Sequence, residues 1–170
     1  MAADDRVEGP AGERSGGGDP GNVLELRTTA FNDGAPIPRR YAKDGEDVSP
    51  ALQWSGVPEG TVELVLICED PDAPNGTWLH WAMTGIDPST TSVDEGEQPP
   101  GATAWRNDYG DEGWGGPQPP VGDEAHRYVF RLYALPEPVD VGPEEGIQAL
   151  RQAVEAKRTA VGTLVGRFAR

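Results

Sequence analysis

Thr61-Val62-Glu63-Leu64-Val65-Leu66-Ile67-Cys68 runs directly into Glu69-Asp70-Pro71-Asp72-Ala73-Pro74. The first half is an apolar run broken by one Glu. A strand without a polar face is expected in the middle of a sheet covered on both sides. The second half stops it. Pro71 and Pro74 fix φ and push the residues before them out of helical geometry. Asp70 and Asp72 therefore sit on a stiff turn at the end of a buried strand. A cis Ala73–Pro74 bond is one way to hold such a reversal. Asp as an ordinary turn former is the plainer reading.

Outward from this stretch, Val23 to Thr29 reads as a first strand, followed by the turn Asn32-Asp33-Gly34. Trp78 to Ile86 and His126 to Leu135 are strands, and Ala160 to Phe168 returns as another. Gly142-Pro143 opens a helix with Glu144 and Glu145 at its positive end and Lys157 and Arg158 at its negative end. Ile147, Leu150 and Val154 form its buried stripe. With 23 Gly, 17 Pro and five Trp in 170 residues, the expected fold is mainly β with one sizeable helix.

Two segments stand apart. Residues 1–22 hold five acids, two Arg, six Gly and two Pro, and are expected to be a disordered acidic tail before a domain spanning 23–170. Val93 to Pro120 holds six Gly, five Pro and six acids, too long for an ordinary connection, and its Trp105 and Trp114 need a surface to pack on.

Lys and Arg number 14 against 29 acids, a net charge of −15. Such a surface lacks the cations that displace counterions, so no nucleic-acid partner is expected. It also disfavours docking on anionic lipid. No stretch approaches the roughly 20 apolar residues that cross a bilayer, so no stable membrane insertion is expected. The single cysteine, Cys68, excludes an intrachain disulfide. Met1 to Asp5 lacks the basic and apolar regions of a secretory signal, which makes a cytoplasmic location the default.

The chain has two histidines, each in a strand-like segment. Alternation puts Trp78, His80 and Ala82 on one face, and His126, Tyr128, Phe130 and Leu132 on one face. Either histidine alone is most simply a core residue. Asp70 and Asp72 change the reading. A carboxylate beside an imidazole favours its charged form, and His⁺, Tyr O–H and backbone N–H are all donors. Gly115-Gly116-Pro117 precedes His126, and adjacent glycines let N–H groups approach a ligand. The inventory suits a small pocket for a phosphate-like anion, with the aspartates orienting the donors. The surface charge repels anions at long range, so weak binding that persists as salt screens that charge is expected.

Asp70-Pro71-Asp72-Ala73-Pro74, then His80-Trp81, then Gly116-Pro117 through His126-Arg127-Tyr128, resembles the phosphatidylethanolamine-binding protein family, which includes the Raf kinase inhibitor protein. Ile37-Pro38-Arg39-Arg40-Tyr41 and Leu52-Gln53-Trp54-Ser55-Gly56-Val57-Pro58 look like the segment preceding those motifs, and Leu164 to Arg170 looks like the ending of the shorter prokaryotic branch. The resemblance spans roughly Leu24 to Arg170. It implies a large antiparallel sheet packed on a smaller one with one or two peripheral helices. It implies a pocket for phosphate or a phosphorylated headgroup, lined by Asp70, His80, Gly116, His126 and Tyr128, with Asp72 and Pro74 shaping its wall and Trp78 or Trp81 as a hydrophobic rim. It implies a phosphorylated small molecule or phosphorylated protein as partner, no cofactor and no catalysis, and it leaves a homodimer open. The connection from Pro74 to His80 is shorter than in animal members, and the chain stops at Arg170 before their extra C-terminal helix, so the resemblance alone does not extend the expectation to kinase inhibition or to true lipid binding.

Two rival readings remain. His80, His126 and Asp70 could ligate Zn²⁺ or Fe²⁺ with an open position, giving a metal-dependent hydrolase or oxygenase. Alternatively, the Val93–Pro120 loop docks a protein partner. No Gly-x-Ser-x-Gly elbow, His-Glu-x-x-His or dinucleotide glycine pattern is present.

Overall fold

The computed structural model describes residues 23–170. The expected acidic tail, residues 1–22, lies outside the described residues. The strands are β1 (Glu25–Arg27), β2 (Leu52–Ser55), β3 (Glu63–Asp70), β4 (Trp78–Ile86), β5 (Ser92–Val93), β6 (Thr103–Ala104), β7 (His126–Leu135) and β8 (Ala160–Phe168). A single α-helix among the described residues, α1 (Ile147–Lys157), precedes β8. The large sheet has the order β6-β4-β3-β7-β8, the small one β1-β2-β5, and every strand pair is antiparallel.

The apolar run of β3 is explained by its place. All eight of its residues are buried, because each face of the large sheet is covered. On one face Leu64, Leu66 and Cys68 join Phe130 and Leu132 of β7 and pack against Leu26, Leu52 and Trp54 of the small sheet. On the other face Val65 and Ile67 join Tyr133 and Leu135 under Leu150 and Val154 of α1. Arg151 of α1 pairs with the buried Glu69 of β3, fixing the helix across the sheet.

Three boundaries differ from expectation. β1 is confined to three residues. β3 runs through Asp70, whose backbone still pairs with Trp78, so the first aspartate is a strand residue and not a turn residue. The helix does not start at Gly142-Pro143. That stretch is a single 3-10 turn, Pro143–Glu145, and Gly146 at φ 91° breaks the chain before α1 begins at Ile147. Glu144 and Glu145 therefore lie outside the first turn of α1. No cis peptide bond occurs among the described residues, so Ala73–Pro74 is trans.

The irregularity that matters most is a β-bulge in β4. Cys68 pairs with Trp81, yet Glu69 pairs with Leu79, so His80 is an extra residue with no partner on β3. A bulge turns consecutive residues toward one face. His80 and Trp81 therefore both lie on the small-sheet side, while Ala82 joins Leu79 under the helix. The expected grouping of Trp78, His80 and Ala82 fails at Ala82 for this reason.

Phe130 is fully buried between the sheets, 6.1 Å from the Phe31 ring and stacked on Trp114 at 6.0 Å. Phe130→Ala is expected to cost about 3–5 kcal/mol in urea unfolding, because the cavity cannot collapse between two sheets. Thr163→Ala, at an exposed β8 position, is expected to cost under about 0.5 kcal/mol.

Candidate functional site

The end of β3 and the starts of β4 and β7 meet at one corner of the large sheet, where they form a cavity of about 290 Å³. Asp70 comes from β3, Trp78 and His80 from β4, and His126 and Tyr128 from β7. Ala73 and Pro74 wall one side. Tyr109, Gln118, Pro119 and Pro120, from the long loop, close the other.

Asp70 is 3% exposed, and both its oxygens are engaged. Oδ1 accepts the N–H of Asp72 at 2.7 Å, and Oδ2 faces His126 Nδ1 at 2.7 Å. His126 Nε2 lies 3.1 Å from Oδ2 of Asp123, on the turn before β7. Burial opposes charge on this imidazole, but the hydrogen bonds and negative charges of Asp70 and Asp123 outweigh it and hold the pKa above the ordinary value. Both N–H groups then donate to carboxylates. In the protonated form that this favours, both donors are taken up by the chain itself.

His80 is different. Its Nδ1–H donates to the carbonyl of Gly115 at 2.6 Å, while Gly115 N–H donates back to the His80 carbonyl. Burial lowers its pKa, against the pull of that carbonyl and of Asp70. In its neutral form, which burial favours, His80 presents Nε2 as an acceptor. The ring sits edge-on to Tyr128 at 5.1 Å and to Tyr109 at 5.8 Å. Tyr109 donates to the Gly116 carbonyl at 2.7 Å, and Lys43 Nζ lies 4.5 Å from its ring centre.

Two donors remain. The Tyr128 hydroxyl and Trp78 Nε1–H are buried and have no hydrogen-bond partner in the structure. Burial, then the charge of Asp70, pushes the Tyr128 pKa far up, so the phenol stays protonated. Buried polar groups without partners are rare, and each costs about 1–3 kcal/mol.

Of the residues singled out in the sequence, Asp70, Pro74, His80, His126 and Tyr128 line the cavity. Asp72, Trp81 and Gly116 do not. Asp72 is bound by Arg127 through its backbone N–H, Nε and Nη2, which holds the Asp72 pKa down at about 2 and braces the turn from outside. Trp81 is turned into the core by the bulge, edge-on to Trp114 at 5.4 Å, and Trp78 takes the rim position. Gly116 is a glycine for the sake of its own chain. A Cβ there would lie 2.1 Å from the Tyr41 carbonyl oxygen, and its N–H donates to Asp47 Oδ1 at 2.7 Å. Tyr109 and Asp123 carried no signal in the sequence beyond a place in polar loops.

Among the described residues, no three His, Cys, Asp or Glu side chains are grouped to hold a metal ion. Both His126 nitrogens and His80 Nδ1 already have partners. The geometry therefore lends no support to the metal-enzyme reading. The long loop runs along the edge of β4, with Trp105 buried and Asp108 bonded to Leu79 through backbone and side chain. No helix among the described residues is long and apolar enough to cross a membrane.

A sequence model described as phosphatidylethanolamine-binding protein matches residues 27–169. A protein of Methanothermobacter thermautotrophicus named UPF0098 protein is 42% identical, over 86% of this chain and 99% of its own. A Mycobacterium tuberculosis protein whose name calls it a lipoprotein, LppC, is 40% identical, over 84% of this chain and 73% of its own. A crystal structure described as a phosphatidylethanolamine-binding protein homolog, CT736 of Chlamydia trachomatis, superposes with a TM-score of 0.79 at 34% identity, over 88% of this chain and 99% of that one.

The two histidines should titrate apart in NMR spectra, His126 above and His80 below the usual value near 6.5. His126 has a raised folded pKa. Its contribution to stability is full below about pH 6.5 and is lost as pH rises through the folded value. His80 works the other way, and its contribution falls as pH drops below about 6.5. The stability gap between wild type and His126→Asn, read by urea unfolding, should therefore narrow between about pH 6 and pH 9. A constant gap would contradict the assigned charge.

Proposed function

The chain belongs to the phosphatidylethanolamine-binding protein family, and from that premise we propose that its cavity binds a phosphate-like oxyanion, either free phosphate or a phosphorylated headgroup, without catalysis. The carrying observation is the pair of buried donors, Tyr128 O–H and Trp78 Nε1–H, without partners at one cavity. A ligand with several acceptor oxygens satisfies both. The cavity of about 290 Å³ suits a small ligand. The proline and aromatic walls accept the carbon substituent of an ester.

Binding without turnover is supported by the state of the reactive groups. Cys68 is fully buried and its thiol is raised well above the usual range, so it is no nucleophile. His126 is held between two carboxylates and has no free nitrogen to act as a base.

Chemical-shift titration with inorganic phosphate and with phosphoethanolamine tests the proposal. Tyr128→Phe should weaken binding about tenfold, since it removes a hydrogen bond to a charged ligand. His126→Ala should weaken it further and abolish its pH dependence. In wild type, affinity should fall as pH rises through the His126 pKa and should survive high salt. Equal titration by all three proteins would remove these residues from the site. Stronger effects of phosphoethanolamine than of phosphate would point to a headgroup as the ligand.

A further inference from the structure

We propose that Asp123 is the chain's own ligand for His126, that an incoming oxyanion displaces it, and that its charge thereby sets the site against dianions. This inference rests on the oxyanion reading above.

The two carboxylates on His126 are not equivalent. Asp70 is buried, and its second oxygen is fixed by the Asp72 amide. Its bond to Nδ1 is 2.7 Å. Removing it would leave a buried charge without compensation. Asp123 has a side chain 44% exposed and a bond of 3.1 Å to Nε2. Among the described residues, that bond is the only one its side chain makes. Released, the carboxylate passes to water at little desolvation cost. The turn that carries it stays anchored, because Asp123 N–H donates to the Pro120 carbonyl and Gly122 N–H to that of Arg170. Pro119 and Pro120, next to this turn, wall the cavity. Asp123 can therefore leave Nε2 without dismantling the site. The freed N–H then joins Tyr128 and Trp78 as a third donor.

The charges explain the discrimination. His126 carries one positive charge against the two negative charges of Asp70 and Asp123. The neighbouring Arg127 is neutralised by Asp72. Arg170, behind the wall, donates to the Pro119 carbonyl and lies 3.6 Å from Asp44. Neither of these two arginines is thus free to offset Asp123. Once displaced it remains tethered nearby, and its repulsion scales with ligand charge. A monoanion meets half the penalty of a dianion.

The test uses methyl phosphate, a dianion at about pH 7.5, and dimethyl phosphate, a monoanion. Both are titrated by NMR into the full chain and into Asp123→Ala and Asp123→Asn. Wild type should prefer dimethyl phosphate. Asp123→Ala should tighten both ligands, and methyl phosphate about threefold more than dimethyl phosphate, because displacement is common to both while the repulsion is twice as large for the dianion. Asp123→Asn should lose the preference between ligands and move the His126 pKa toward the ordinary value. Wild-type binding with no gain, or with equal gains for the two ligands, would overturn this inference and leave the oxyanion pocket standing. No binding of either ligand by any of the three proteins would overturn both.

Discussion

Asp70 is a carboxylate with almost no access to water, and the corner of the fold is arranged around giving both its oxygens partners. A buried charge is tolerable only when paired and hydrogen-bonded. Its two partners are the amide of Asp72 and the imidazole of His126. One partner fixes the proline turn after β3, and the other ties that turn to the first residue of β7. A single side chain thus holds the end of one central strand to the start of its neighbour. The charge it imposes on His126 then calls for a second carboxylate at Nε2, supplied by Asp123.

A consequence is that the site's one cation is locked. In a chain of net charge −15, an anion gains nothing from long-range attraction. The donors at the cavity are short-range and mostly neutral: a phenol, an indole and, on the displacement proposed above, one imidazolium N–H. Such a site discriminates by hydrogen-bond geometry and ligand charge more than by attraction. The resemblance read from the motifs led toward the same pocket, but with free histidine and glycine donors that the structure shows to be occupied.

The large sheet was legible because its signals are local. β3 and most of β7 are apolar because both faces of the sheet are covered there, and β8 alternates because hydrophobic periodicity survives in it. His126 and Tyr128 were legible because parity along a strand predicts the face, whereas Asp70 was singled out as a turn residue and proves to be the last residue of β3. His80 was placed correctly but its neighbours were not, since a bulge shifts parity and leaves no mark in the residue pattern around it. Gly116 was misread for a different reason. Glycine reports a close approach without saying to what, and here the neighbour is the Tyr41 backbone. Asp123 and Tyr109 were invisible, because their roles depend on loops brought to the corner by contacts distant in sequence.

An electron-density map of the protein crystallised with dimethyl phosphate at near-neutral pH would show whether Asp123 gives way to a ligand. Tetrahedral density is expected in the corner cavity, within hydrogen-bonding distance of the Tyr128 hydroxyl, Trp78 Nε1 and His126 Nε2, with the Asp123 side chain turned out to solvent. Ordered water bridging Tyr128 and Trp78, with Asp123 still on His126 at saturating ligand, would contradict that expectation.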